Sequence, residues 1–360
     1  MKIPINIPDI DDEEIRAVRH VLSEKSLTSS SFDGGVHVQQ FEKLVSKFVK
    51  SKFTIAVNSG TSALQASLYA LDIKSGDEVL VPSFTFVATA NSVKAVGAKP
   101  VFVDITRENY TMDPYDLRKK VTKRTKAIIP VHLYGHVAYM EEIIEVAKKN
   151  NLKIIEDASQ SLGSKFKQKH SGTFSNLGCF SFYGTKVMTS GEGGAIVTDE
   201  KNLCEKLKQI RNHGYAKNNL MTRLGLNLRL SEINAAIGKI QMKKLHSFLK
   251  QRKNNAKILT ELLQNCDVVL PKQRKHETLN WYLYTIAHKN RNKIMKKLNS
   301  LGIGATVYYS TPIHKIPYYK TKKNLPHTEW ASSHVLCLPI HPKVVTSDLE
   351  KMQRVLGNKK

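Results

Sequence analysis

The sequence predicts an α/β protein with a largely parallel, buried sheet, followed by a smaller α+β unit. Three observations carry this. From about residue 54 to 200, seven short apolar runs alternate with helix-length amphipathic segments. A long stretch rich in glutamate, lysine and alanine, Ser231–Leu263, follows and suits a helix that leaves one domain and enters the next. Beyond it the texture changes, with WYLYTIAH, then a helix-like NRNKIMKKLNSLG, then ATVYY.

The elements can be taken in order. The apolar runs are TIAV, EVLVP, PVFVD, AIIPVH, KIIED, CFSFY and GAIVT, short enough for strands buried on both faces. Helices are predicted over 61–72, 86–97, 113–122 and 139–150, with Gly76-Asp77 and Asn150-Asn151 placed where helices stop. A chain of 360 residues with 41% apolar composition can bury one large core and a smaller one. Two domains are therefore expected, 1–235 and 236–360, with segment 1–30 packing near the second. No apolar run reaches the roughly 18 residues of a membrane span, and the start, MKIPINIPDIDDEE, lacks signal-peptide character. A cytoplasmic location is expected. The four cysteines, Cys179, Cys204, Cys266 and Cys337, have neither CxxC spacing nor disulfide-rich density and read as reduced thiols.

The net charge of +25, with a pI near 9.8, raises nucleic-acid binding. The paired lysines, however, are spread along the chain from Lys119-Lys120 to Lys322-Lys323 and Lys359-Lys360, with no zinc-finger, RNP or heptad signature. A solvated basic surface is the simpler reading. A basic mouth that draws in an anionic substrate is a further expectation.

Four segments carry chemistry. SFYGTKVMTSGEGG, 181–194, brings Lys186 from a strand end into a glycine-rich turn; in a buried site a lysine loses its proton more readily and becomes fit for a Schiff base. KIIEDASQSLG, 153–163, ends a strand in Asp157, where open α/β sheets bind ligands. A carboxylate there can hold a proton on a pyridine nitrogen, and Gln160 can reach the ring's phenolic oxygen; a helix N-cap is the alternative use of Asp157. NSGTSALQASLYAL, 58–71, opens a helix with Gly60, Thr61 and Ser62, suited to a phosphate or to simple capping. PSFTFVATANSV, 82–93, offers Phe86 either to a flat heteroaromatic ring or to the core.

Taken together and in order, GTSAL, PSFTFVATA, FVDI, KIIEDASQ, SFYGTK, GEGG, GLNLRLSEINAAIG and YYSTPIH resemble the DegT/DnrJ/StrS sugar aminotransferases, within the fold-type-I pyridoxal-phosphate enzymes. The resemblance runs from KIPINIPDI to VLCLPIHP. It implies a mostly parallel seven-stranded sheet in the large domain, and pyridoxal 5'-phosphate (PLP) as cofactor. It further implies that Lys186 is the Schiff-base lysine, that Asp157 pairs with the pyridine nitrogen, that Gln160 lies near the ring oxygen and that Phe86 stacks on the ring. Gly60, Thr61, Ser62 and Ser181 match phosphate-binding positions. Asn227 matches the asparagine that reaches the cofactor phosphate of the neighbouring subunit, which implies a homodimer with shared active sites. Arg229, Tyr309 and His314 match positions on the substrate side. The implied reaction moves an amino group from glutamate or glutamine to a keto sugar, a nucleotide-linked keto-deoxysugar, and no metal is expected. Leu27–His37 departs from the family's shorter turn near the substrate mouth, which leaves the sugar's identity open. Two rivals stand beside this reading. A dehydratase on the same scaffold carries histidine where Lys186 stands, and a non-catalytic regulator or nucleic-acid binder is expected to lose the lysine or the aspartate.

Overall fold

The computed structural model describes residues 2–321 and 323–357; Met1, Lys322 and 358–360, and with them three of the paired lysines, lie outside the described residues. Two helices open the chain. α1 (Asp12–Glu24) starts on a capping box in which Asp11 accepts from Glu13 and Glu14 reaches back to the Asp11 amide. α2 (Val36–Val49) buries Val38, Phe41, Val45 and Val49 at helical spacing.

The alternating region then runs β1 (Phe53–Val57), α3 (Gly60–Ala70), β2 (Glu78–Pro82), α4 (Ala88–Ala95), β3 (Lys99–Val103), α5 (Pro114–Lys120), β4 (Thr125–Ile128), α6 (Met140–Lys149) and β5 (Lys153–Asp157). A two-residue hairpin, β6 (Lys165–Phe166) and β7 (Lys169–His170), precedes β8 (Leu177–Ser181), β9 (Gly194–Thr198) and α7 (Lys201–Arg211). Seven strands form one sheet in the order β1-β9-β8-β5-β4-β2-β3. β9 runs antiparallel to both of its neighbours, and the remaining pairs are parallel. Helices cover both faces, so β2 and β9 are buried along their whole length, and this is why they read as unbroken apolar runs.

The remainder consists of α8 (Glu232–Leu263), β10 (Glu277–Thr278), β11 (Tyr284–Ala287), α9 (Arg291–Ser300), α10 (Pro326–His334), β12 (Val335–Leu338) and α11 (Thr346–Leu356). β11 and β12 make a two-stranded antiparallel sheet. α8 serves two cores: Ala235, Met242 and Leu245 pack under the large sheet, whereas Ala256, Leu259 and Leu263 join Tyr284, Leu336 and Leu349 in a separate cluster. Ile3 belongs to that second cluster and its amide donates to Gly302, so the N-terminal segment is tied to the C-terminal unit.

Two sequence expectations shift. CFSFY leaves the sheet at Ser181, because the Phe182 amide turns to Gly193 O and starts the loop that carries Lys186. ATVYY forms no strand; only Thr306 pairs, with Cys337. All four cysteines are free and buried, and among the described residues no helix is long and apolar enough to cross a membrane.

Candidate active site

The carboxyl ends of the parallel strands open into a cavity of about 670 Å³. Of the predicted residues, Gly60, Thr61, Phe86, Asp157, Gln160, Ser181, Lys186 and Tyr309 all line it. They come from chain segments up to 249 residues apart, and each is placed by local structure.

Lys186 sits on a loop closed at its base by Ser190 N donating to Phe182 O (2.9 Å) and Thr189 Oγ1 donating to the same carbonyl (3.1 Å). Its Nζ lies 5.0 Å from the centre of the Tyr282 ring. Burial pulls its pKa down to about 8, and the pull of Asp157 only partly opposes this. Such an amine gives up its proton near neutral pH, as a nucleophile must.

Asp157 ends β5 and is 5% exposed. Its Oδ2 accepts from Thr89 Oγ1 (2.9 Å) and its Oδ1 from the Ser159 amide (3.2 Å), so it closes a tight turn and caps no helix. Behind it, Glu156 faces away from the cavity and is fully buried. It accepts from Gly172 N (2.7 Å), Ser175 N and Ser175 Oγ (2.8 Å each), and pairs with His132 Nε2 (2.9 Å). His132 Nδ1 already accepts the Ala138 amide, so the ring carries its one proton on Nε2 and donates it to Glu156.

α3 points its N-terminus at the cavity. Ser59 caps it through Ser62 N (3.1 Å), and the amides ahead of that bond, Gly60 and Thr61, are first-turn donors without partners among the described residues. Gly60 lies so close to Ser181 and Ser159 that a Cβ would come within 2.8 Å of Ser181 Cβ. Gly194 lets β9 approach the same turn, since a Cβ there would meet Ser59 O at 2.3 Å. The result is a bare backbone cradle beside two serine hydroxyls, a fit for a phosphate group. Ser62 itself is absent from the lining. Its hydroxyl donates to Asn58 Oδ1 (2.6 Å) and meets Ser59 Oγ (2.9 Å).

Gln160 donates to Tyr309 Oη (3.0 Å) and accepts from the Tyr134 amide (3.0 Å), and Phe86, 56% exposed, tilts toward Tyr309 with ring centres 6.2 Å apart. Besides Ser62, three predicted residues stand apart from this cavity. His314 is buried between Ser83 Oγ (2.7 Å from Nδ1) and Glu329 Oε1 (3.3 Å from Nε2). Arg229 donates to Asn212 Oδ1 (2.8 Å), and Asn227 is exposed on the far end of the 213–227 loop, bridged to Asn212. Leu27–His37 contributes nothing to the lining either; its carbonyls accept from Arg211, Asn212 and the Glu232 amide. Among the described residues, Lys186 is the one lysine or arginine in the lining, alongside the carboxylates of Asp157 and Glu192.

Sequence reasoning missed Thr89, Ser159, Thr185 and Tyr282. Thr89 was within sight, three residues past Phe86 in the same motif, whereas Tyr282 comes from the other unit and no local pattern marks it.

An amine of lowered pKa, an aspartate and a bare helix N-terminus share one cavity at the carboxyl edge of a doubly covered α/β sheet, an arrangement that suits an enzyme of the aminotransferase class. Residues 8–357 match the DegT/DnrJ/EryC1/StrS aminotransferase family. The chain belongs to that family, and it is a sugar aminotransferase. It is 35% identical to the GDP-perosamine synthase of Escherichia coli O157:H7, over 89% of this chain and 88% of that protein. It is also 35% identical to a protein of Geobacillus stearothermophilus named pleiotropic regulatory protein, over 94% and 95%. Among solved structures, Streptomyces venezuelae DesV in complex with a ketimine intermediate superposes with a TM-score of 0.91 at 32% identity, covering 98% of this chain and 97% of that one.

Proposed function

We propose that the chain is a PLP-dependent enzyme that takes an amino group from glutamate or glutamine and places it on the ketone of a nucleotide-linked sugar, working as a homodimer in the cytoplasm. The observation that carries this is the Lys186 amine, lowered to about 8, sharing one cavity with Asp157 and the Gly60 cradle. Relatives named for GDP-, dTDP- and UDP-linked sugars support the substrate class. Four buried free cysteines suit a reducing compartment.

When bound, PLP supplies an electron sink for the carbon that bears the amine. The amides of Gly60 and Thr61 and the Ser181 hydroxyl would hold its phosphate, with Ser62 acting through the cap beside them. Asp157 would hold the ring nitrogen, Gln160 would lie by the ring oxygen and Phe86 would cover a face. Lys186 Nζ would hold the cofactor and, when free, would accept and return a proton at Nζ, as general base and then as general acid. Tyr309 lies at the cavity wall for the substrate, and Arg229 and His314 shape its surroundings from outside.

The homodimer reading rests on what one chain lacks. Among the described residues the lining offers no lysine or arginine besides Lys186 for a diphosphate, whereas the 213–227 loop exposes Asn227, Tyr215, Leu220, Met221 and Leu224 with Lys217 and Arg223 nearby. A second copy brings that loop, and Asn227, to the cavity.

The test is an absorbance spectrum of the protein loaded with PLP, before and after glutamate. A visible band that shifts to shorter wavelength on adding glutamate, and no such band in Lys186→Ala, is the expected result. A protein that gives no band after incubation with PLP would return the reading to a regulator, the role named for the Geobacillus relative.

A further inference from the structure

The loop that carries Lys186 is also held from outside the cavity. Asn6, in the N-terminal segment, donates through Nδ2 to the carbonyls of Thr185 and of Lys186, the latter at 3.1 Å. Its Oδ1 accepts from Arg252 Nη2 at 2.6 Å. Because a guanidinium can only donate, the amide is fixed in this orientation, oxygen toward Arg252 and nitrogen toward the loop. Arg252 is 1% exposed, in the middle of α8, and its Nη1 donates to the carbonyls of Tyr282 (3.1 Å) and Trp281 (3.3 Å). Tyr282 is the residue whose ring lies beneath Lys186 Nζ.

Among the described residues no carboxylate pairs with Arg252; its partners are an amide and two carbonyls. A buried guanidinium without a counter-ion is costly to keep, and leucine or methionine fills a core at lower cost. What Arg252 does in exchange is fix two things that meet at Lys186: the backbone of the lysine, through Asn6, and the ring below its amine, through the Tyr282 carbonyl. The same segment is tied again at Asp9, whose carbonyl accepts from Gln241 Nε2 (2.7 Å) while Gln241 Oε1 accepts from the Thr189 amide (3.3 Å) at the far side of the loop.

We propose that Asn6 and Arg252 are a pair of positioning residues for the transfer reaction, holding the Lys186 backbone and Tyr282 in register so that Nζ projects into the cavity. The proposal rests on Lys186 being the reacting amine. It also assigns the N-terminal segment a part in the chemistry, since Ile3 ties that segment to the C-terminal unit and Asn6 ties it to the lysine loop.

The test is a double-mutant cycle with Asn6→Ala, Arg252→Met and the two combined, read in two ways. The first is kcat and KM for the glutamate half-reaction of the PLP-loaded enzyme. The second is the pH dependence of Lys186 reductive methylation in the cofactor-free protein, followed by peptide mass spectrometry. Each single variant is expected to lower kcat about tenfold, with KM changed less than about threefold, and to move the Lys186 titration toward that of an ordinary lysine. The double variant is expected to be no worse than the poorer single, because the two residues act in series. Singles that leave kcat and the titration unchanged, or losses that multiply in the double variant, overturn the proposal. Where Asn6→Ala proves too unstable to purify, Asn6→Asp keeps the Arg252 contact, removes both donations and should show the same loss of kcat; an unchanged kcat there also overturns it. Lys186→Ala separates the two readings. Full activity in Lys186→Ala sinks the role of the lysine, whereas inactivity there with wild-type Asn6 variants sinks only the positioning.

Discussion

At the scale of single residues, the site is made of groups whose burial is opposed by only one or two contacts. Lys186 is the plainest case. Its folded pKa of about 8 lies below the ordinary 10.5, so the unfolded chain binds this proton more tightly than the folded one. Stability therefore rises with pH between about 8 and 10.5, and below 8 the cofactor-free protein carries the full penalty. Removing the amine should relieve it: Lys186→Ala is expected to stabilise the cofactor-free chain at pH 7 by about 2 kcal/mol, allowing for the residue's partial exposure. Thermal melts at pH 7 and 10 check this; an equal difference at the two values would mean that burial of the amine is not the cause. Thr89 offers a second case, because it supplies one of two donors that orient Asp157. Thr89→Val keeps the shape and drops the donor, and is expected to cut kcat roughly tenfold with little change in melting temperature. Steady-state kinetics beside a melt separates that from a folding defect.

At the scale of elements, the meeting of β1, α3 and β9 builds the cradle proposed for the phosphate, and it leaves no room for a side chain at Gly60 or Gly194. Gly60→Ala forces a Cβ to 2.8 Å from Ser181 Cβ, so one of the two must move. The expected outcome is a loss of PLP affinity of tenfold or more with the fold intact, measured by equilibrium titration of the cofactor band. Ser59→Ala should cost about 1 kcal/mol of stability by removing the cap. Much of this level was legible beforehand. Strand-by-strand alternation reveals itself because a sheet covered on both faces demands unbroken apolar runs, and Asp157 and Lys186 follow such runs directly. α2 carried an equally clear period at Val38, Phe41, Val45 and Val49 but stood outside the alternating pattern and was not assigned. Tyr282, Asn6 and Arg252 were beyond reach, for a reason of distance. Each acts on Lys186 from a different segment of the chain, and a lone asparagine or arginine has many ordinary uses. His314 shows the converse, since a motif position places a residue along the chain and says nothing of the strut between Ser83 and Glu329 that its ring forms.

At the scale of the whole molecule, two properties follow from how the parts join. The first is acid sensitivity. Burial drives His170 and His341 down to about 4, and the nearby His136 and Arg274 hold Glu277 down at about 2 against the opposing effect of its own burial. In all three the unfolded state binds the proton first: the histidines remove stability as pH falls from about 6.5 to 4, and Glu277 removes more from about 4.5 to 2. The melting temperature should therefore fall steadily below pH 6.5, and less steeply in a His170→Asn/His341→Asn double variant; parallel slopes would put the acid lability elsewhere. The second property is assembly. If Asn227 serves the cavity of a second copy, then Lys186→Ala and Asn227→Asp damage the same active site from different chains. Co-expressed with different tags, the two variants form a hybrid dimer in which one site collects both defects and the other collects neither. That hybrid should recover about half of the wild-type activity per dimer, while each parent remains nearly inactive. A hybrid as inactive as its parents would place Asn227 in its own chain's site, whereas a fully active Asn227→Asp parent would place it outside the chemistry.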